Sequence, residues 1–463
     1  MSKKYLKDEE FQWDEAPDLN DRADEFDDSF DDVDDRPKKK KKAVKKKTAT
    51  KASSKSGAQN TTKTVAKNTG KKTASAPKKG NKKKKASAKK KRRRALIIVL
   101  AILEMLALLV VGFALFIFNM FNGFKDKVEE MNKIPDNVIG PSFQVENVDV
   151  NDLNHGVLET LKGYTTYAVL GLDQRSQDDY ESGQSDVMIL VSVNNDTGEI
   201  NMVSVYRDTW LQIDASGTFA KINAAYNRGG AYQALQALNT NLDLKIDHFV
   251  TVNWKAVAEV IDLMGGVDIE VTESLFNAKD QHGGSLLNSY IMTTAQQLDM
   301  EDKVTYPTGP GYQTLSGVQA VGLCRIRGAN LLDYGRTANQ RQVAMQMFEK
   351  AKTMLKKGMF PKLMEIANTA VEYVRTDITY QEMMSLIPKM ADYYLNTSEG
   401  FPFSGMRGGY TFEYWGESIV AKDLVANVTK LHQILYSNEQ YVPSDTVINL
   451  SQKLSAMTGI YAN

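Results

Sequence analysis

Ala95–Phe118 is a run of 24 residues holding a single charge, Glu104. A helix of that length spans ~36 Å, enough to cross the apolar core of a bilayer with some tilt. The run constrains the chain more than any other feature, because it separates everything before it from everything after. Lys89, Lys90, Lys91, Arg92, Arg93 and Arg94 abut its N-terminal end, while Lys125 and Lys127 beyond the other end are offset by Asp126, Glu129 and Glu130. The basic flank stays in the cytoplasm, so the C-terminal part is expected outside the cell membrane. A removable signal peptide fits less well, since the run is too long and no small-residue cleavage site follows it in 119–127. Glu104 near mid-membrane is costly for a lone helix and calls for protonation or a partner helix.

The formal net charge of +1 conceals three blocks. Residues 1–35 hold 15 Asp or Glu against four Lys or Arg, and residues 36–94 hold 27 Lys or Arg with no acidic or aromatic residue. Neither block has enough apolar surface to offset the entropy of ordering, so residues 1–94 are expected to be a disordered cytoplasmic tail. Lysine runs bind phosphate backbones, but this tail has no aromatic residue for stacking and no recognisable DNA-binding pattern. That argues against nucleic acid as a partner and for a solvated tail that touches anionic membrane lipid. From Ala95 onward the chain holds 27 basic and 42 acidic residues. The single cysteine, Cys324, excludes an intrachain disulfide, so the outer part must be held by its own core.

Pro135, Gly140 and Pro141 mark residues 119–150 as a juxtamembrane linker. Beyond it, strands and helices alternate. Strands are expected at Tyr167–Leu172, Val187–Val193, Asn201–Tyr206, Phe249–Val252 and Val267–Val271, and a helix at Lys255–Met264 that Gly265-Gly266 stops. Ser316 is placed to cap a helix running to about Cys324, and helical periodicity occupies 338–357, 361–373 and 379–396. Residues 276–313 are polar and Gly-rich and read as a long loop. This pattern predicts an α/β domain with three α/β/α layers around one sheet, over residues 151–440, followed by a C-terminal tail at 441–463.

Arginine carries the chemistry. Nine arginines follow residue 150, and seven of them lie between Arg175 and Arg341. They stand at strand ends or in short motifs: Gly171-Leu-Asp-Gln-Arg175, Tyr206-Arg-Asp208, Arg325-Ile-Arg327 and Asp333-Tyr-Gly-Arg336. Cations grouped on an acidic background suit a strong anion, and the planar guanidinium fork fits phosphate bidentately. Asp173 follows the first expected strand and Asp186 precedes the second. If those strands are antiparallel neighbours, the two carboxylates meet at one sheet end, an arrangement that holds Mg²⁺ together with phosphate oxygens. Arg325 and Arg327 face the same way on an extended segment, and Arg336 and Gln340 share a helix face. Asp333 either accepts a proton from an attacking hydroxyl or pairs with an arginine. An Asp-Arg neighbour is also a common structural ion pair, and a strand-edge Asp a common turn residue. The four histidines, His155, His248, His282 and His432, show no metal-ligand spacing and read as structural. No Ser-His-Asp set, P-loop or Rossmann fingerprint is evident.

These motifs, in their order, resemble the LytR-CpsA-Psr family. The resemblance rests on Tyr167-Ala-Val-Leu-Gly-Leu-Asp-Gln-Arg175, Ser185-Asp-Val187, Ser204-Val-Tyr-Arg-Asp-Thr209 and Lys221-Ile-Asn-Ala-Ala-Tyr226. It extends through Leu315-Ser-Gly-Val-Gln-Ala320, Arg325-Ile-Arg327, Asp333-Tyr-Gly-Arg336 and Gln340-Arg341. It implies an α/β/α enzyme of Gram-positive-type envelopes, with a hydrophobic pocket for a lipid tail. Such an enzyme moves an anionic glycopolymer, a teichoic acid or capsular polysaccharide, from a polyprenyl-pyrophosphate carrier to peptidoglycan. The acceptor implied is the C6 hydroxyl of N-acetylmuramic acid, and a phosphodiester results.

Carried over by position, Asp173 and Asp186 would bind Mg²⁺, with Mn²⁺ as the other candidate. Arg175, Arg207, Lys221, Arg325, Arg327, Arg336 and Gln340 would hold the pyrophosphate, Asp208 would orient Arg207, and Asp333 would be the base. The chain departs from the family at Tyr206, where Pro is frequent, at Asn339, where Arg is usual, and at Cys324, where small or aliphatic residues are common. Two other functions remain open at this level: an envelope-associated transcriptional attenuator signalling through the tail, and a polyprenyl-pyrophosphate hydrolase using water as acceptor.

Overall fold

A computed structural model describes residues 118–131, 152–173, 183–327 and 332–461, together with residues 105, 108, 111, 115 and 150. The chain divides into two compact units, 1–108 and 109–463. The expected tail 1–94 and most of the expected span 95–118 lie outside the described residues. Met105, Leu108, Val111, Leu115 and Phe118 are helical and exposed. Among the described residues no helix is long and apolar enough to cross a membrane.

The strands of the second unit are β1 Tyr164–Leu172, β2 Ser185–Asn194, β3 Glu199–Val205, β4 Trp210–Gln212, β5 Phe219–Lys221, β6 His248–Asn253, β7 Val267–Val271, β8 Gly311–Leu315, β9 Val374–Thr376, β10 Tyr394–Phe401, β11 Arg407–Phe412 and β12 Gly416–Ala421. A six-stranded mixed sheet runs β10-β3-β2-β1-β6-β9, and β4-β5, β7-β8 and β11-β12 form two-stranded pairs. β1 is antiparallel to β2 and parallel to β6.

Alternation along the central strands divides the core in two. Ala168, Leu170, Leu172, Met188, Leu190, Val203 and Val205 enter one buried cluster, with the helices Ala224–Leu242, Leu424–Tyr436 and Asp445–Thr458. Val187, Ile189 and Met202 point the other way, into a cluster with the helices Trp254–Leu263, Leu286–Leu298 and Gly317–Arg325. Helices therefore cover both sheet faces, as three layers require.

Several expected boundaries move. The segment 276–313 is not one loop: Leu286–Leu298 is a helix that buries Leu287, Ile291, Ala295 and Leu298. The periodic stretch 379–396 holds the helix Tyr380–Met390 and then becomes β10, because an edge position beside β3 is open to it. Residues 119–131 of the expected linker are helical. Phe124, Val128 and Met131 pack there with Met364 and Val371, Phe121 stacks on Phe360 at 5.6 Å, and Lys127 pairs with Glu372 at 2.6 Å.

The expected tail 441–463 carries the helix Asp445–Thr458, with Val447, Leu450 and Leu454 buried. Asp243 anchors it: this buried carboxylate, at the left-handed end of Ala224–Leu242, accepts from Ser444 N at 2.8 Å, Ser444 Oγ at 2.6 Å and the Tyr441 hydroxyl.

Candidate functional site

The site begins at a defect in the sheet. Gly171 pairs with Val187 and Leu172 with Ser185, which leaves Asp186 as the extra residue of a β-bulge. A bulge re-aims the side chain it carries. Gly171 permits the close crossing, because a Cβ there would press into the Val187 side chain. Asp173 follows the end of β1, so the antiparallel pairing brings both carboxylates to one end of the sheet.

Three arginines meet them, and a lysine joins through Asp208. Asp186, almost fully buried, accepts from Arg207 Nη1 at 2.7 Å and lies 3.6 Å from Arg327 Nη2. Arg207 follows β3 and turns its Nε to Asp208 Oδ2 at 3.3 Å, while Lys221, the last residue of β5, reaches Asp208 Oδ1 at 3.0 Å. Arg325 ends the helix Gly317–Arg325, donates to Thr294 Oγ1 at 3.3 Å and approaches Asp173 at 3.5 Å. Ile326 between the two arginines is fully buried, which fixes the short extended segment. About half of the Arg327 side chain is exposed, so its fork is open to an anion from solvent.

The long helix Leu332–Lys356 supplies the rest. Asp333 lies in its first turn; its side chain, like all of Arg175, lies outside the described residues. Arg336 and Gln340 are buried on it. Gln340 donates to Cys324 O at 3.0 Å and Asn339 to Leu323 O at 3.4 Å. Both amides thus serve carbonyls in the last turn of the Arg325 helix, where Leu323 O also accepts from Ile326 N. Asn339, where the family usually has Arg, ties two helices together. Arg341, one position after Gln340, is buried, and its Nε donates to Ser398 Oγ on β10 at 2.9 Å. Cys324 is buried, and burial pushes its thiol up to about 12, so it is inert at neutral pH.

Two site residues escaped sequence reasoning. Asn223 donates to Asp186 Oδ1 at 3.4 Å and to Gln184 Oε1 at 3.0 Å; its place in the Lys221–Tyr226 motif was the available signal. Arg407, at the start of β11, lies 3.7 Å over the Tyr334 ring and 5.2 Å from the Tyr206 ring centre, and donates to the Tyr206 hydroxyl at 3.2 Å and Pro402 O at 3.1 Å. Tyr206 and Tyr334 meet edge to face at 4.8 Å. The pair flanks Arg207 on one side and Asp333 on the other in sequence. Burial raises the Tyr206 phenol above its ordinary pKa, against the pull of Arg407 and Arg341, so it stays a neutral hydroxyl.

Asp173 and Asp186 offer hard oxygen donors, and among the described residues no group of three or more His, Cys, Asp or Glu is placed to hold a metal ion. Carboxylate oxygens are the donors that Mg²⁺ takes alongside waters and phosphate oxygens.

A family model described as the LytR_cpsA_psr family matches residues 120–408. TagU of Bacillus subtilis (strain 168), named a polyisoprenyl-teichoic acid–peptidoglycan teichoic acid transferase, is 27% identical over 219 residues, which are 47% of this chain and 61% of that protein. The chain thus spans under two thirds of that relative. TagU of Bacillus cereus (strain AH820), of the same name, is 23% identical over 333 residues, 72% of this chain and 96% of that protein. Among solved structures, TagV of B. subtilis aligns with a TM-score of 0.46 at 23% identity, covering 61% of this chain and 99% of that one.

Proposed function

The chain belongs to the LytR-CpsA-Psr family, and on that premise we propose that it is a phosphotransferase. It moves an anionic glycopolymer from a polyprenyl-pyrophosphate carrier to the C6 hydroxyl of N-acetylmuramic acid in peptidoglycan. The observation that carries this reading is the convergence of Arg207, Arg325 and Arg327 on Asp173 and Asp186 at one sheet end. The relatives' printed name, a teichoic acid transferase to peptidoglycan, supports it.

In this reading Arg207, Arg325 and Arg327 hold the pyrophosphate, joined by Arg175, Arg336, Lys221 and Gln340. Planar forks from two directions fix its oxygens and stabilise charge on the transferred phosphoryl group. Asp208, paired with both Arg207 and Lys221, keeps the two cations aimed. Asp333 accepts the proton of the attacking hydroxyl. That oxygen bonds to the sugar-bearing phosphorus, the bridging P–O bond breaks, and polyprenyl monophosphate leaves. Asp173 and Asp186 would hold a divalent ion, which neutralises pyrophosphate charge when bound. The reading carries with it a single-pass location in the cell membrane, with residues 1–94 cytoplasmic and the catalytic domain outside.

The test is mass spectrometry of the full chain in detergent, incubated with a polyprenyl-pyrophosphate-linked sugar and peptidoglycan oligomers, with and without Mg²⁺. The expected product is a phosphodiester-linked glycan that disappears without metal and in Arg325→Ala/Arg327→Ala. Lipid monophosphate without linked product would replace the transferase by a hydrolase. An active double variant would overturn the reading.

A further inference from the structure

The β11–β12 hairpin carries a set of aromatic rings that the arginine site does not use. Trp210 immediately follows the Arg207–Thr209 turn and is the register partner of Lys221. Phe412 stacks on Trp210 with ring centres 3.7 Å apart and planes 16° apart, and Trp415 meets Trp210 edge on at 5.9 Å. At the tip, Trp415 is 38% exposed and Tyr414 is 89% exposed. Tyr414 is open to solvent, and the stack of buried Trp210 on half-buried Phe412 gives the two tip rings a footing. The hairpin is tied to the site: Ile419 N donates to Asp208 O at 2.9 Å, and Thr209 bridges to Ile419.

We propose that Tyr414 and Trp415 form a subsite for a neutral N-acetylhexosamine ring of the acceptor glycan, beside the phosphoryl-transfer site. This rests on the transferase reading and extends it to acceptor recognition. A pyranose ring has an apolar C–H face and a rim of hydroxyls; an aromatic ring covers the first, and a carboxylate accepts from the second. Glu413 and Glu417, both exposed, flank the two rings in sequence. Those two carboxylates also choose the occupant, since they repel a phosphate-bearing polymer and an anionic lipid surface alike. What remains is an uncharged sugar.

The experiment titrates the full chain in detergent with the neutral β-1,4-linked N-acetylglucosamine hexamer, followed by calorimetry and tryptophan fluorescence, and titrates inorganic pyrophosphate in parallel. Tyr414→Ala/Trp415→Ala is expected to weaken hexamer binding by about tenfold or more, with pyrophosphate affinity kept within about twofold. Arg327→Ala is expected to do the reverse. No hexamer binding by the wild-type chain, or equal binding by the double variant, overturns the subsite. So does quenching of Trp415 by brominated phospholipids in nanodiscs, lost in Trp415→Phe, which assigns the rings to lipid. Hexamer binding through the hairpin in a chain that binds no pyrophosphate keeps the subsite and removes the transferase reading; the opposite pattern removes the subsite alone.

Discussion

Arg407 sits over Tyr334, its guanidinium carbon 3.7 Å from the ring centre. Through Tyr206 the same side chain reaches the segment that carries Arg207 and Asp208. One cation thus joins the β3 turn, the start of the long helix and the start of β11. Arg407→Met keeps the length and removes the charge and fork, and is expected to lower unfolding free energy by about 1–2 kcal/mol. Urea denaturation reads the loss. Arg407→Lys is expected to recover only part of it, since an ammonium restores the charge over the rings but not the guanidinium whose Nη1 donates to both Tyr206 and Pro402 O.

Gly400 makes room for this arrangement. A Cβ there would collide with the Tyr206 phenol. Gly400→Ala is expected to destabilise the domain by about 1–3 kcal/mol, through displacement of a well-packed ring. In a Tyr206→Leu background the same substitution should cost much less. Additive losses in the double-mutant cycle would show that the glycine answers to something other than the phenol.

Arg207 and Asp186 form a largely buried pair whose halves are unequal in consequence. Arg207→Ala leaves the Asp186 carboxylate with Asn223 and a more distant Arg327. The expected loss is about 2–3 kcal/mol of stability, together with pyrophosphate binding. Adding Asp186→Asn should restore part of the stability and none of the binding. A thermal melt paired with calorimetry separates the two effects.

His432 makes the domain acid-sensitive. Burial lowers its pKa from 6.5 to about 4, against the smaller opposing effects of Leu242 O and Asp243. The unfolded chain therefore takes up a proton before the folded one does. Stability from this residue is complete above about pH 6.5 and is lost as pH falls toward 4, by ~3 kcal/mol in all. Denaturation curves at pH 7 and pH 4.5 should differ less in His432→Gln than in the wild type.

Much of the site could be read from the sequence because its parts are local. Strand ends announced Asp173 and Asp186, Gly265-Gly266 stopped a helix with both glycines at positive φ, and the Gln319 side chain accepts the Ser316 N–H where a cap was expected. What stayed hidden depends on distant partners or diluted patterns. Leu287, Ile291, Ala295 and Leu298 keep helical spacing, but Asn288, Ser289, Thr293 and two glutamines among them, with Gly283-Gly284 just before, masked it as a loop. β10 follows a helix whose period runs on into it, and only β3 beside it makes it a strand. Arg407 sits in no motif, and its aromatic partners lie in two other segments.

The Asp243 anchor sets an order of events. Its donors, Tyr441 and Ser444, stand 198 and 201 residues further along the chain. Until that late segment has been made, the carboxylate cannot be enclosed without a large desolvation cost, and one face of the sheet stays open. Loop closure over such a span is slow, so the growing chain must hold an unfinished apolar face for most of its synthesis. A truncation just before Tyr441 would therefore leave a sticky intermediate, a substrate for chaperones and proteases, in place of a slightly shorter domain.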